Sequence, residues 1–322
     1  DIVTHSVDVG GGLLSPNNFA GFIFNNVDRF DITSDAPQNA NPTTYDLSSS
    51  GAIGVLRVQN SSNSVVLNNA AAGAIDPNTT YLEILDQTST TTDVSLDIRD
   101  IDVTGNNDQV DVTVRSATNT GDALDDLNID FAVETVTLHT DGPLAVVIND
   151  LNTDLGGAAG SGAVNLVLDA QDSALTITSD LTANVKNVDG SSSDENLTFS
   201  VASANGNTTL VTGTGNDSVT GSAFADSVTM DAGNDTFNTG AGNDRIDMGE
   251  GNDVVNFTGA GNVSVQGGDG NDTINAGTEL NVGDTVTGGD GTDLLNVGAN
   301  NGTNDLNNVT QIERIVLDDI NG

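Results

Sequence analysis

Apolar and polar residues alternate along most of this chain, and helical periodicity is scarce. Val94-x-Leu96-x-Ile98, Val110-x-Val112-x-Val114, Val136-x-Leu138, Val164-x-Leu166-x-Leu168, Leu175-x-Ile177 and Leu197-x-Phe199-x-Val201 read as short strands. Asn, Asp, Gly, Ser and Thr fill the intervals as turns. From Val94 onward the strands return at close intervals, which suits an irregular parallel β-solenoid. Such a fold buries its apolar positions by stacking coil on coil, so small side chains and 3% aromatics serve it well. Residues 1–93 have another texture, with Phe19, Phe22, Phe24 and Phe30 close together and four of the five prolines (Pro16, Pro37, Pro42 and Pro77). They read as a β-rich N-terminal domain, either a compact sandwich or a solenoid cap, or as a surface that docks onto a second subunit.

Between Thr212 and Asn296 the alternation acquires a fixed period. Five nine-residue units run without a gap from Thr212 to Asn256, each ending Asp-x-apolar-x. Asp217, Asp226, Asp235, Asp244 and Asp253 mark the units, and Val219, Val228, Phe237, Ile246 and Val255 follow two places behind. The phrase then returns around Asp272, Asp284 and Asp293. Each unit predicts one short strand with a single inward apolar side chain, followed by a Gly-rich turn that uses the positive φ open to glycine. Two units make one coil, so alternate units share an edge. Asp217, Asp235, Asp253, Asp272 and Asp293 fall on one edge, and Asp226, Asp244 and Asp284 on the other.

Carboxylates stacked one strand apart repel by up to roughly 4 kcal/mol per pair, for a separation of about 4 Å and an effective dielectric near 20. A cation between them is required. Calcium accepts six to eight oxygen ligands in flexible geometry, carbonyls included, whereas magnesium demands a tight octahedron. Zinc would want His or Cys, and the chain has two of the first and none of the second. A flexible Gly/Asn/Asp linker is the competing reading, but a linker has no reason to keep an apolar residue two places after each Asp.

The period is broken in three places. Gly221–Asp226 reads GSAFAD, with Phe224 where a turn glycine is expected, which predicts a weaker site at Asp226. Thr258–Val263 reads TGAGNV, with Val263 in the Asp position, and Glu279–Asp284 reads ELNVGD, which keeps the Asp and loses most of the glycines.

Charge narrows the partners. Forty-seven acidic residues stand against six Arg and Lys186, a net charge of −40 over 322 residues. Such a surface repels nucleic acid and anionic lipid, and opposes its own folding unless cations bind. Metal clips would then take the part that disulfides, absent here, play in many extracellular proteins. No run of eighteen apolar residues occurs, so no membrane insertion by a helix is expected. The sequence opens at Asp1 without a basic, apolar leader, so a signal peptide was removed, lies outside it or was never used.

GGDGNDTIN (Gly267–Asn275) and GGDGTDLLN (Gly288–Asn296) resemble the G-G-x-G-x-D-x-U-x phrase of the repeats-in-toxin (RTX) calcium-binding proteins. The resemblance implies an all-β fold: a parallel β-solenoid, an RTX β-roll in the C-terminal third and a β-rich N-terminal domain or cap. It divides the chain into 1–93, an irregular solenoid at 94–211, the β-roll at 212–296 and a closing strand at 297–322. Ca2+ would be held by Asp217, Asp226, Asp235, Asp244, Asp253, Asp272, Asp284 and Asp293. The turn positions Gly215, Gly233, Gly242, Gly251, Gly268, Asp269, Gly270, Gly289, Asp290 and Gly291 would complete the sites. RTX relatives commonly leave Gram-negative bacteria by type I secretion, which implies a secreted protein at the bacterial cell surface.

Val133-Glu134-x-Val136-x-Leu138 and Ile312-Glu313-x-Ile315-x-Leu317 look like strand phrases of RTX-bearing surface-layer proteins. Richness in Asn, Thr and Ala and near absence of Lys point the same way. The expected function is therefore a calcium-dependent structural protein that self-assembles into a surface layer (S-layer) or filament, a homopolymer, with cell-surface polysaccharide as a further partner. The second expectation is an RTX adhesin or matrix module, and the third a non-catalytic part of a secreted RTX enzyme. Neither HExxH nor GxSxG nor any thiol occurs, and His5 and His139 are the only imidazoles, so no catalytic residue is assigned. Carboxylate pairs such as Asp125-Asp126 and Asp318-Asp319 point to opposite faces of a strand.

Overall fold

In a computed structural model, the strands from Ile2 to Ile129 are described, followed by residues 135–153, 164–298 and 306–317. All the described elements are strands, every pair of them parallel, and the fold is a parallel β-solenoid. Two compact units are present, Asp1–Asn184 and Val185–Gly322.

In the first unit, successive strands alternate between two sheets, so each strand pairs with the next but one. Ile2–Val7 pairs with Val27–Ser34, and Thr135–Asp141 with both Gln109–Arg115 and Val164–Ala170. The alternation read from sequence decides which side chains face inward. Leu138 lies in register between Val112 and Leu168, and all three are buried. Residues 1–93 share this pairing in their strands. Most of Phe19–Phe30 lies outside the described residues, as do Pro16, Pro37, Pro42, Pro77, Val133, Glu134 and Asp318-Asp319, and the side chains of His5 and Asp125-Asp126.

The second unit repeats the arrangement with shorter strands. One sheet contains Val185–Asp189, Thr208–Val211, Asp226–Thr229, Arg245–Asp247, Ser264–Gly270, Thr285–Gly291 and Val309–Thr310. The other contains Leu197–Ser200, Ser218–Thr220, Thr236–Asn238, Val254–Asn256, Thr273–Gly277, Leu294–Val297 and Arg314–Leu317. Residues eighteen apart pair through the strict repeats, as in Val219 with Phe237 and Phe237 with Val255. The longer units keep the same pairing: Ile246 meets Val265 and Val265 meets Val286. Their extra residues are accommodated in the turns and, at Ala276, in a register shift near the end of Thr273–Gly277, because moving a whole strand by one place would turn its apolar residue outward.

Val219, Phe237, Val255, Ile274 and Leu295 form one inward column, and Leu210, Val228, Ile246, Val265 and Val286 form the other. Outside the first column runs a ladder of amides. Asn238 donates to Thr220, Asn256 to Asn238, Asn275 to Asn256 and Asn296 to Asn275, at 2.7–3.3 Å.

Candidate metal centre

The turns between strands carry the acidic residues. On one edge, the backbone N–H of Leu197 donates to Oδ1 of Asp217, 2.7 Å away. The N–H of Asp217 donates to Asp235, that of Asp235 to Asp253, that of Asp253 to Asp272 and that of Asp272 to Asp293, all through Oδ1 at 2.7–2.9 Å. Glu313 Oε2 closes the series by accepting from Asp293 N–H at 2.8 Å. Each coil is thus tied to the next by a carboxylate. Each aspartate uses one oxygen in this way.

The other oxygen is the notable one. Oδ2 of Asp217, Asp235, Asp253, Asp272 and Asp293 is buried and accepts no hydrogen bond of normal geometry, although at Asp217 the Thr212 hydroxyl and the Gly213 N–H partly offset the burial. Oδ2 of Asp244 on the opposite edge is in the same state. These residues are at most 2% exposed. Burying an ionised carboxylate without a compensating partner costs several kcal/mol, so native folds pair it or give it a metal. Burial pushes Asp235, Asp244 and Asp253 up to about 7, against the opposing pull of the donated N–H groups. Neighbouring carboxylates add to the rise, Asp217 and Asp253 at Asp235, Asp226 at Asp244 and Asp272 at Asp253. Burial also raises Asp217 and Asp272. Without a metal, Asp235, Asp244 and Asp253 therefore hold protons up to near neutrality, and a cation would replace them.

Glycine shapes the space in front of these oxygens. Gly233, Gly251, Gly270 and Gly291 hold φ of 138–147°, and a Cβ on Gly251 would lie 1.5 Å from the Gly233 carbonyl oxygen. Gly267 and Gly288 leave room beside the acid, since a Cβ on either would stand 2.4 Å from Oδ2 of Asp272 or Asp293. An all-oxygen set of carboxylates and turn carbonyls, with neither thiolate nor imidazole, fits calcium. The residues that would hold it are Asp217, Asp235, Asp253, Asp272 and Asp293 with the turns around Gly215, Gly233, Gly251, Gly268, Gly270, Gly289 and Gly291, and Asp244 with Gly242 on the other edge. When bound, calcium supplies positive charge to oxygens that otherwise repel one another. Asp269 and Asp290, also expected at the sites, pair in register with exposed side chains, and the Asp269 carbonyl accepts the Gly251 N–H.

The second edge is uneven. Asp226 Oδ1 accepts from Thr208 Oγ1 and Ser222 Oγ at 2.7 and 2.8 Å, and its Oδ2 accepts the Ser222 N–H at 2.7 Å. Asp284 Oδ1 accepts from Val263 N–H and its Oδ2 from Asn281 N–H, both at 2.7 Å. Val263 is buried in the slot where an acid was expected. Seven of the eight aspartates are in the turns and Asp226 opens a strand, but six of the eight have an oxygen free of protein donors and two do not.

Sequence reading missed Ser222, Asn281 and Glu313. Glu313 had a signal, since it stands two places before the apolar Ile315 in the Asp position of the repeat. Ser222 and Asn281 had none beyond a missing glycine. In the first unit, His139 Nδ1 and Asp169 Oδ2 form a half-buried cross-strand pair at 2.8 Å.

Residues 204–229, 221–255 and 257–279 match the RTX calcium-binding nonapeptide repeat family, in four copies. This part of the chain consists of RTX repeats, and such repeats bind calcium. The β-roll they form is a structural, non-catalytic fold, and proteins that carry it are typically secreted by bacteria. No curated protein and no solved structure matches the chain significantly.

Proposed function

We propose that this chain is a secreted structural protein of the bacterial cell surface, folded by extracellular calcium and self-assembling into a layer or filament. The observation that carries the reading is the row of buried Oδ2 atoms on Asp217, Asp235, Asp253, Asp272 and Asp293, which the protein leaves without donors. In calcium-poor cytoplasm those carboxylates and a net charge of −40 destabilise the roll and leave it only partly formed. Outside, at extracellular-type affinities, each site half to tenfold saturated adds about 0.2 to 1.4 kcal/mol by mass action. Sites joined by shared turns reinforce one another.

Assembly has its own support. Ile315 lies in register with the fully buried Leu295 yet is 41% exposed, and Leu317 is 65% exposed. These are core-type side chains that a further coil, from this chain or from a second copy, would cover. The test is calcium titration after EGTA, followed by far-UV circular dichroism and light scattering. β signal and large particles that appear together with calcium, and not with equal magnesium, are expected. Folding without particles refutes assembly, and no response in either signal refutes calcium-driven folding.

The amide ladder Asn238–Asn256–Asn275–Asn296 favours a second reading, an adhesin or matrix module. It offers a strip of uncharged hydrogen-bonding groups suited to neutral polysaccharide on a molecule whose net charge is −40. A calcium-loaded monomer that is retained on a polysaccharide column would favour that reading over the first.

A further inference from the structure

We propose that the turns 221–226 and 279–284 are protein-only locks, in which Ser222 and Asn281 do what calcium does elsewhere in the roll, so that the two edges respond unequally to the ion. The inference rests on calcium binding by the repeats and is independent of assembly.

Three observations converge. First, the carboxylates of Asp226 and Asp284 are closed by the chain itself. Asp226 receives the N–H and the hydroxyl of Ser222, a residue only 1% exposed, together with the Thr208 hydroxyl. Asp284 receives the N–H groups of Asn281 and Val263. Both oxygens of each carboxylate are engaged by N–H or O–H donors of the chain, so neither acid presents the donor-free oxygen that the other edge offers a cation.

Second, the Asn281 side chain makes an inter-coil link of the kind an ion would make. Its Nδ2 donates to the Gly261 carbonyl of the preceding coil at 2.7 Å, while its Oδ1 accepts the Gly283 N–H at 2.8 Å. An amide nitrogen thus joins a turn carbonyl of one coil to the acid-bearing turn of the next. Third, the backbone differs. Gly242 and Gly261, in the intervening turns of this edge, have φ of 131° and 159°. Phe224 and Val282 hold the same turn position, and neither is among the two described non-glycine residues with positive φ, Asp231 and Gln311. Both side chains project outward, 43% and 62% exposed.

The consequence is a roll with unequal edges. The Asp217–Asp293 edge depends on calcium throughout. The other edge carries two self-sufficient turns that bracket the Asp244 and Val263 coils, and these hold their coils together when calcium is withdrawn.

The experiment uses the full chain. Bound calcium is counted by native mass spectrometry for the wild type, Asp226→Asn, Asp284→Asn and Asp253→Asn, and amide exchange of the wild type is measured in EGTA. The expected result is an unchanged count for Asp226→Asn and Asp284→Asn and a loss of at least one ion for Asp253→Asn. The N–H groups of Ser222 and Asn281 should stay protected in EGTA at least tenfold longer than those of Asp217 and Asp253. Loss of an ion from Asp226→Asn or Asp284→Asn overturns the locks. Equal exchange at all four amides in the wild type does so as well, whether or not any variant folds. A full count in Asp253→Asn would instead overturn the assignment of calcium to the ladder on which the proposal rests.

Discussion

Asp253→Asn should change sign with calcium. In the wild type, Asp253 Oδ1 accepts the Asp235 N–H at 2.8 Å while Oδ2 is buried without a donor. Asparagine keeps the first contact through its own carbonyl oxygen. It replaces the second oxygen with a neutral amide, which can donate to a turn carbonyl as Asn281 does to Gly261. Burial pushes Asp253 from 3.8 to about 7, and at about 1.4 kcal/mol per unit this bounds the cost of its ionised form near 4 kcal/mol. Screening at the edge of the roll and imperfect satisfaction of the new amide reduce the gain to about 1–3 kcal/mol. At about pH 8 in EGTA the variant should therefore be more stable than the wild type by that amount. In millimolar calcium it should be less stable, because a ligand has gone. Urea unfolding followed by far-UV circular dichroism, in both buffers, reads the difference. A variant destabilised equally with and without calcium would refute the assignment of Oδ2 as a ligand atom.

Acid should substitute for calcium in part. The folded-state pKa values of Asp235, Asp244 and Asp253 are raised to about 7, so the metal-free roll is stabilised below the unfolded value of 3.8 and loses that stability as pH rises through 7. Far-UV circular dichroism in EGTA should show more β signal at about pH 5 than at about pH 8, and calcium should erase the difference. Gly251→Ala, at φ 147° and with a Cβ 1.5 Å from the Gly233 oxygen, should lower the melting temperature of the calcium-loaded protein through a loss of about 2 kcal/mol or more. Val263→Asp should restore an acid next to Asp244, raise the bound-calcium count by one and weaken the calcium-free form by about 2 kcal/mol for the lost apolar burial. Titration calorimetry paired with melts in EGTA checks both parts.

The repeats were legible because every nine residues a glycine, an acid and an apolar residue each did one job, and a fixed job at a fixed interval survives in one dimension. The solenoid upstream was legible only where burial alternates strictly, as in Val164–Ala170. Val146–Asn152 buries Val146, Ile148 and Leu151, and Val185–Asp189 buries Val185 and Val188, so a three-residue step hides both from a period-two reading. The broken turns show the same limit at the site. GSAFAD and ELNVGD look like eroded calcium turns, and only the fold shows the Ser222 hydroxyl against Asp226 and the Asn281 amide against Gly261. Val263 was legible as a missing acid, but its burial in the core was not.

The carboxylate ladder has a direction. Each turn on the main edge receives its acceptor from the coil that follows it, from Leu197 on Asp217 through to Asp293 on Glu313. The strand after each acid answers in the opposite sense: the N–H of Thr236 donates back to the Asp217 carbonyl, that of Val254 to Asp235, that of Thr273 to Asp253, that of Leu294 to Asp272 and that of Arg314 to Asp293. Two donors of opposite direction thus close each pair of coils around one acid. Growth from either end leaves a backbone donor that only the next coil can meet, so the edge forms as one cooperative unit.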